Sequence, residues 1–134
     1  YDDDTARAFL HSHSYTGNPL ACRAALATLD IFAQDDVLAA NRIKAERLGF
    51  AFRTAIGSHP AVRHLRQRGM ILAFDVEGAP AGFSRRFFTE ALARELLLRP
   101  IGNTVYTMPP YILSGAEIDH LASQTAAALE ASLA

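Results

Sequence analysis

Cys22 is the single cysteine in 134 residues, so no internal disulfide can form and nothing points to an oxidising compartment. Beside Ala21 and Ala24 it reads as a small buried hydrophobe rather than a nucleophile. No apolar run approaches the roughly 18 residues that a membrane-spanning helix needs. The acidic opening, Tyr1-Asp2-Asp3-Asp4, has neither the basic end nor the apolar run of a secretion signal, so a cytoplasmic location is expected. It lacks an initiating methionine, and the chain is expected to be processed or cut from something longer. Net charge is also scarce: at -1, no overall field would draw the chain to nucleic acid or to an acidic membrane. Lysine is nearly absent. Lys44 is the only one among 13 basic side chains, so any chemistry that needs an amine has one candidate.

Half of the residues are hydrophobic and a fifth charged, which suits a single globular domain. Residues 1–16 have no helical periodicity and read as a loop or a short extended piece. Asn18 can cap a helix that Pro19 starts and that runs to about Ala33; it is apolar almost all round, which predicts burial against several neighbours. Asp35 and Asp36 are placed to cap a second helix ending near Ile56, with Ala45, Leu48, Phe52 and Ile56 inward and Lys44 facing water. Two strands follow, over Val62–Arg68 and over 70–76, with Gly69 between them. In the second, Met70, Leu72, Phe74 and Val76 alternate with Ile71, Ala73 and Asp75. Arg63, His64, Arg66 and Arg68 then read as a solvated sheet face.

A third helix is expected over 84–97, with Phe88, Ala91, Leu92 and Leu96 inward, and a short strand over 104–108 that Pro109-Pro110 stops. Ser114-Gly115-Ala116-Glu117 is a capping box. The helix behind it would present Ile118, Leu121, Ala122, Thr125, Ala128, Leu129 and Ser132 on one face. The order helix, helix, strand, strand, helix, strand, helix predicts an α+β layer, a small and mainly antiparallel sheet covered by helices.

Two segments carry chemistry. The first, His11-Ser12-His13-Ser14-Tyr15-Thr16-Gly17-Asn18-Pro19-Leu20-Ala21-Cys22, is a hydroxyl-rich loop feeding a helix N-terminus. Free N–H groups and the helix dipole favour an anion there, and Ser14 or Thr16 can donate to phosphate oxygens; an ordinary polar loop with a cap is the alternative. The second runs from Leu98-Arg99-Pro100-Ile101-Gly102-Asn103 through Thr104-Val105-Tyr106-Thr107-Met108-Pro109-Pro110-Tyr111. Its arginine, on backbone stiffened by Pro100, can grip a carboxylate through two parallel bonds; alternatively it caps the last carbonyls of its helix. His11 and His13 lack a third converging ligand, so no metal site is expected.

The first segment resembles the "hydroxyl, aromatic, x, Gly-Asn-Pro-Leu-Ala" signature of the class-III, fold-type-I pyridoxal-phosphate aminotransferases. Arg99-Pro100-x-Gly102 and Tyr106-x-Met108-Pro109-Pro110-Tyr111 resemble the biotin-pathway branch, the adenosylmethionine–8-amino-7-oxononanoate aminotransferases. The resemblance implies the small C-terminal domain of such a transferase over 19–134, with 1–18 as the tail of a large cofactor domain. It implies pyridoxal phosphate as cofactor, a homodimer, and amino transfer from S-adenosylmethionine to 7-keto-8-aminopelargonate. By position, Ser14 would donate to the cofactor phosphate of the neighbouring subunit, His13 would add a backbone contact, and Ser12, where the family usually has glycine, would lie against substrate. Arg99 would bind the carboxylate of the amino acceptor, and Tyr106 would fall near the cleft, with a core or hydrogen-bonding role as the alternative. The Schiff-base lysine of the family lies upstream of the His11 loop, so the isolated chain is expected to be inactive. Two rival readings are a non-catalytic αβ module that binds a small anion or a partner, and another ω-amino or keto-acid aminotransferase of the same class.

Overall fold

The computed structural model describes residues 16–134. Four helices and three strands follow one another as α1 (Pro19–Gln34), α2 (Val37–Ile56), β1 (Val62–Arg68), β2 (Ile71–Val76), α3 (Phe83–Leu92), β3 (Thr104–Thr107) and α4 (Gly115–Leu133). The class is α+β, as the element order predicts. Contacts divide the chain into two compact units, one ending at Val37 and the other beginning at Leu38.

The N-terminal unit carries α1. Asn18 caps it: its Oδ1 accepts from the amides of Leu20 (2.9 Å) and Ala21 (3.3 Å), with Pro19 at the first position. The expected burial is not met. No residue of α1 is buried, Leu20 is 81% exposed and Leu29 63%, and Cys22 is exposed as well. A helix that is apolar all round finds no core of its own among the described residues.

In the second unit β1, β2 and β3 form one antiparallel sheet in that order, with Leu72 opposite Thr107 and Phe74 opposite Val105. Because side chains alternate along a strand, Leu72, Phe74, Val76 and Val105 all point to one face, where each is at most 2% exposed. Met70 precedes β2 and is buried too. α2 lays Leu48, Phe52 and Ile56 into the core, and α4 lays Ile118, Leu121, Ala122, Thr125, Ala128, Leu129 and Ser132. That α4 face is the one its periodicity predicts. Burying a side chain such as Phe52 or Leu48 contributes roughly 1.5–3 kcal/mol. The capping box forms, with Ser114 accepting from the Glu117 amide and Glu117 Oε2 accepting from the Ser114 amide at 2.7 Å.

Three local expectations are corrected. Asp36 does not offer a regular cap to α2; it takes a left-handed backbone (φ 43°) as the chain turns between helices. Lys44 is half-buried, its Nζ donating to the carbonyl of Tyr111 at 2.5 Å, and so is tethered rather than pointed at water. α3 ends at Leu92, five residues short of the expected end, and its inward face is Phe83, Phe87 and Ala91 rather than Phe88 and Leu92. The cause is a Schellman stop. Leu96 N–H donates to Ala91 O, and Glu95 N–H to Leu92 O, with Glu95 left-handed at φ 64°. Leu96 remains buried, but as the residue after the stop.

Candidate functional site

Arg99 lies between that stop and β3, and the chain on either side of it is pinned. Leu98 is buried, and Ser84 in the first turn of α3 donates its hydroxyl to Pro100 O at 3.0 Å. Ile101 and Thr104 exchange two backbone hydrogen bonds across the turn at Gly102, which is left-handed (φ 59°). Arg99 itself is exposed, and among the described residues no hydrogen bond or ion pair engages its guanidinium.

The capping alternative therefore fails: backbone amides take the Ala91 and Leu92 carbonyls, and Arg94 takes Glu90 O at 2.7 Å. A planar, permanently charged fork on fixed backbone, without a partner, suits a carboxylate. It opens into a depression of about 440 Å³ lined by Gly82, Ser84, Arg85, Phe88, Arg99 and Pro100.

Ser12, His13 and Ser14 lie outside the described residues, as do His11 and Tyr15. What can be tested is the helix end they feed. Asn18 occupies the amides of Leu20 and Ala21, Cys22 N–H donates to Asn18 O at 2.9 Å, and Pro19 has no N–H. The free amides expected for an anion at this helix start are thus already used. A phosphate here would fit only through the loop hydroxyls and the loop's own backbone, aided by the helix dipole.

Tyr106 sits half-buried on the outer face of the sheet, paired with Ala73 and turned away from Val105 and Thr107. It is not a core residue. The same face carries an ion cluster whose acceptor, Asp75, was not singled out from sequence. Asp75 accepts from the two terminal guanidinium nitrogens of Arg66 (3.1 Å each), from Thr104 Oγ1 (2.8 Å) and from His64 Nδ1 (3.0 Å). The bonds from Arg66 first, and then from Thr104, hold its carboxyl down at about 2. His64 reaches it through a bulge between Arg63 and Arg66, where its own φ is 50°. With Asp75 fully engaged as an acceptor, the cluster ties β1, β2 and β3 together and offers no free base. The missed signal was register: only the strand pairing sets Arg66 and Thr104 on the two sides of Asp75.

No group of three or more His, Cys, Asp or Glu among the described residues could hold a metal ion. None of the helices described is long and apolar enough to cross a membrane.

The model of the class-III aminotransferase family matches residues 2–129. A relative from Helicobacter pylori, an adenosylmethionine-8-amino-7-oxononanoate aminotransferase, is 44% identical over 119 residues, which cover 84% of this chain and 27% of the relative. An omega-aminotransferase from Caulobacter vibrioides is 31% identical over 124 residues, covering 88% of this chain and 27% of that one. The crystal structure of the adenosylmethionine-8-amino-7-oxononanoate aminotransferase from Methanocaldococcus jannaschii superposes with a TM-score of 0.80 at 30% identity, covering 90% of this chain and 30% of that one. The chain therefore spans between a quarter and a third of these proteins' lengths. With its helix-covered antiparallel sheet and its match over almost every residue, this chain belongs to the class-III aminotransferases, a pyridoxal-phosphate-dependent family.

Proposed function

We propose that this chain is the C-terminal, acceptor-gripping part of an aminotransferase that moves an amino group from S-adenosylmethionine to 7-keto-8-aminopelargonate in biotin biosynthesis. The observation that carries the reading is Arg99: a guanidinium unpaired among the described residues, on a segment pinned by Leu98 and by the Ser84–Pro100 bond, facing an open depression. The relatives whose printed names give that reaction support the choice of substrates. On this reading Arg99 holds the acceptor's carboxylate, Ser14 and His13 hold the cofactor phosphate, and Ser12 lies against substrate. The enzyme is a cytoplasmic homodimer, whose other parts would cover the apolar residues of α1.

Pyridoxal phosphate, when bound, supplies the electron sink for amino transfer. The amine it needs as a partner is not offered by this chain. Lys44, on α2, is the only lysine, and its ammonium already donates to the Tyr111 carbonyl. The 134-residue chain alone is therefore inactive. The lysine comes from the rest of the enzyme.

In an aminotransferase containing this chain, Arg99→Lys should raise the KM for the keto acid by about tenfold or more, because charge-assisted bonds are worth roughly 1.5–3 kcal/mol and lysine has no planar fork. An unchanged KM would sink the assignment. Ser14→Ala should speed loss of cofactor absorbance on dialysis. The Caulobacter relative keeps a second reading open, in which the amino donor is another ω-amine. Donor assays separate the two: turnover with S-adenosylmethionine supports the first, and turnover only with simple ω-amines supports the second.

A further inference from the structure

The depression that Arg99 enters has a second guanidinium. Arg85 stands in the first turn of α3, exposed, and lines the same 440 Å³ space. Among the described residues neither arginine has an ion pair or a side-chain hydrogen-bond partner, and no acidic residue lines the depression. Glu90, which flanks Arg85 on its other side, is spent on Arg94 at 2.5 Å. Two permanent positive charges thus share one recess without a counter-charge.

The fold adds to this field rather than relieving it. The N-cap of α3 is Gly82, which gives no side-chain cap; the carbonyls of Pro80 and Gly82 take the Phe83 and Arg85 amides, and the positive end of the helix dipole still lies at the same wall. Ser84 spends its hydroxyl on Pro100 O, which holds the first turn of α3 against the Arg99 segment and fixes the two arginines on one body. Phe88, half-buried, supplies an apolar side to the recess. Like charges held together in this way cost stability unless an anion joins them, and guanidinium is the group best suited to bind a carboxylate in a plane.

We infer that Arg85 is a second carboxylate-positioning residue, and that the recess takes an acid whose carboxylate lies between Arg85 and Arg99 while its aliphatic chain runs along Phe88. This deepens the assignment of Arg99 and rests on it. Arg85 supplies capture and orientation, not chemistry, so its loss should appear in binding and leave turnover intact.

The test uses the whole aminotransferase that contains this chain. Arg85→Ala should raise the KM for the keto acid about threefold to tenfold with kcat unchanged, and Arg85→Glu should raise it further. The decline of kcat/KM with added salt should become shallower in both variants, because one fewer cation steers the anion. A purely structural role for Arg85 would move the melting temperature or kcat and leave the salt slope alone. On the 134-residue chain, hexanoate should shift the side-chain N–H resonances of both arginines, and hexanamide should not. If Arg99→Lys raises the KM while both Arg85 variants leave the KM and the salt slope unchanged, the inference is overturned and the reading of Arg99 stands. If neither position matters to the KM, both fall together.

Discussion

Thr125 is completely buried on α4, and among the described residues its Oγ1 has no hydrogen-bond partner. A hydroxyl removed from water without a replacement bond costs about 1–3 kcal/mol. Thr125→Val keeps the shape and removes the orphan, so it should raise stability by about 1 kcal/mol, read as a higher denaturant midpoint. A lower midpoint would mean that the hydroxyl does find a partner. Asp75 is the opposite case, a polar group with more partners than most. Its carboxyl, ordinarily near 3.8, is held at about 2 in the folded chain by Arg66, Thr104 and His64. A depressed carboxyl stabilises the fold above its ordinary value, and that contribution fades as pH falls from 3.8 towards 2. The side chain is about one-third exposed, so solvent screens the pair and the effect is modest. Thermal unfolding from pH 5 to pH 2 should fall less steeply for Asp75→Asn than for the parent chain; parallel slopes would remove Asp75 from the acid response. At this scale the sequence was legible where one residue type answers one need, as with Arg99. It was silent where the need comes from a neighbouring strand, as with Asp75, or from a recess shared by two segments, as with Arg85.

Elements were legible where local and tertiary signals agree. α4 has a capping box, strict periodicity and a single buried face, so Ser114→Ala should cost about 1 kcal/mol by releasing the Glu117 amide. α3 shows how the two signals diverge. Leu92, Leu96, Leu97 and Leu98 extend the apolar pattern past the point where the hydrogen-bond ladder stops, and nothing but backbone geometry marks the stop at Glu95. Glycine would have announced it; glutamate at φ 64° does not. The left-handed turn costs a residue with a Cβ roughly 1–2 kcal/mol, and glycine's extra freedom when unfolded gives back part of this. Glu95→Gly should therefore stabilise the chain by about 0.5–1 kcal/mol in chemical denaturation. Destabilisation would show that the Glu95 side chain matters more than its backbone.

For the whole molecule, the decisive contrast is between a unit with its own core and a helix without one. From Leu38 onward, nineteen hydrophobic residues are buried against one face of the sheet, whereas α1 has none. Sequence pattern alone misjudged this, because an all-apolar helix looks the same whether its partners lie in the same chain portion or elsewhere; the relatives, three to four times longer, have room for such partners. Protection from hydrogen exchange follows burial and cooperative packing rather than helical geometry. In the 134-residue chain, amides of α1 around Leu26 and Leu29 should exchange orders of magnitude faster than those of Phe52 in α2 or Leu129 in α4. Within an intact aminotransferase the same α1 amides should become protected to the level of the core, because their side chains would then be covered. Equal protection of α1 and α4 in the isolated chain would show that α1 is stable without such cover, and the place of this chain inside a longer aminotransferase would lose its strongest physical motive.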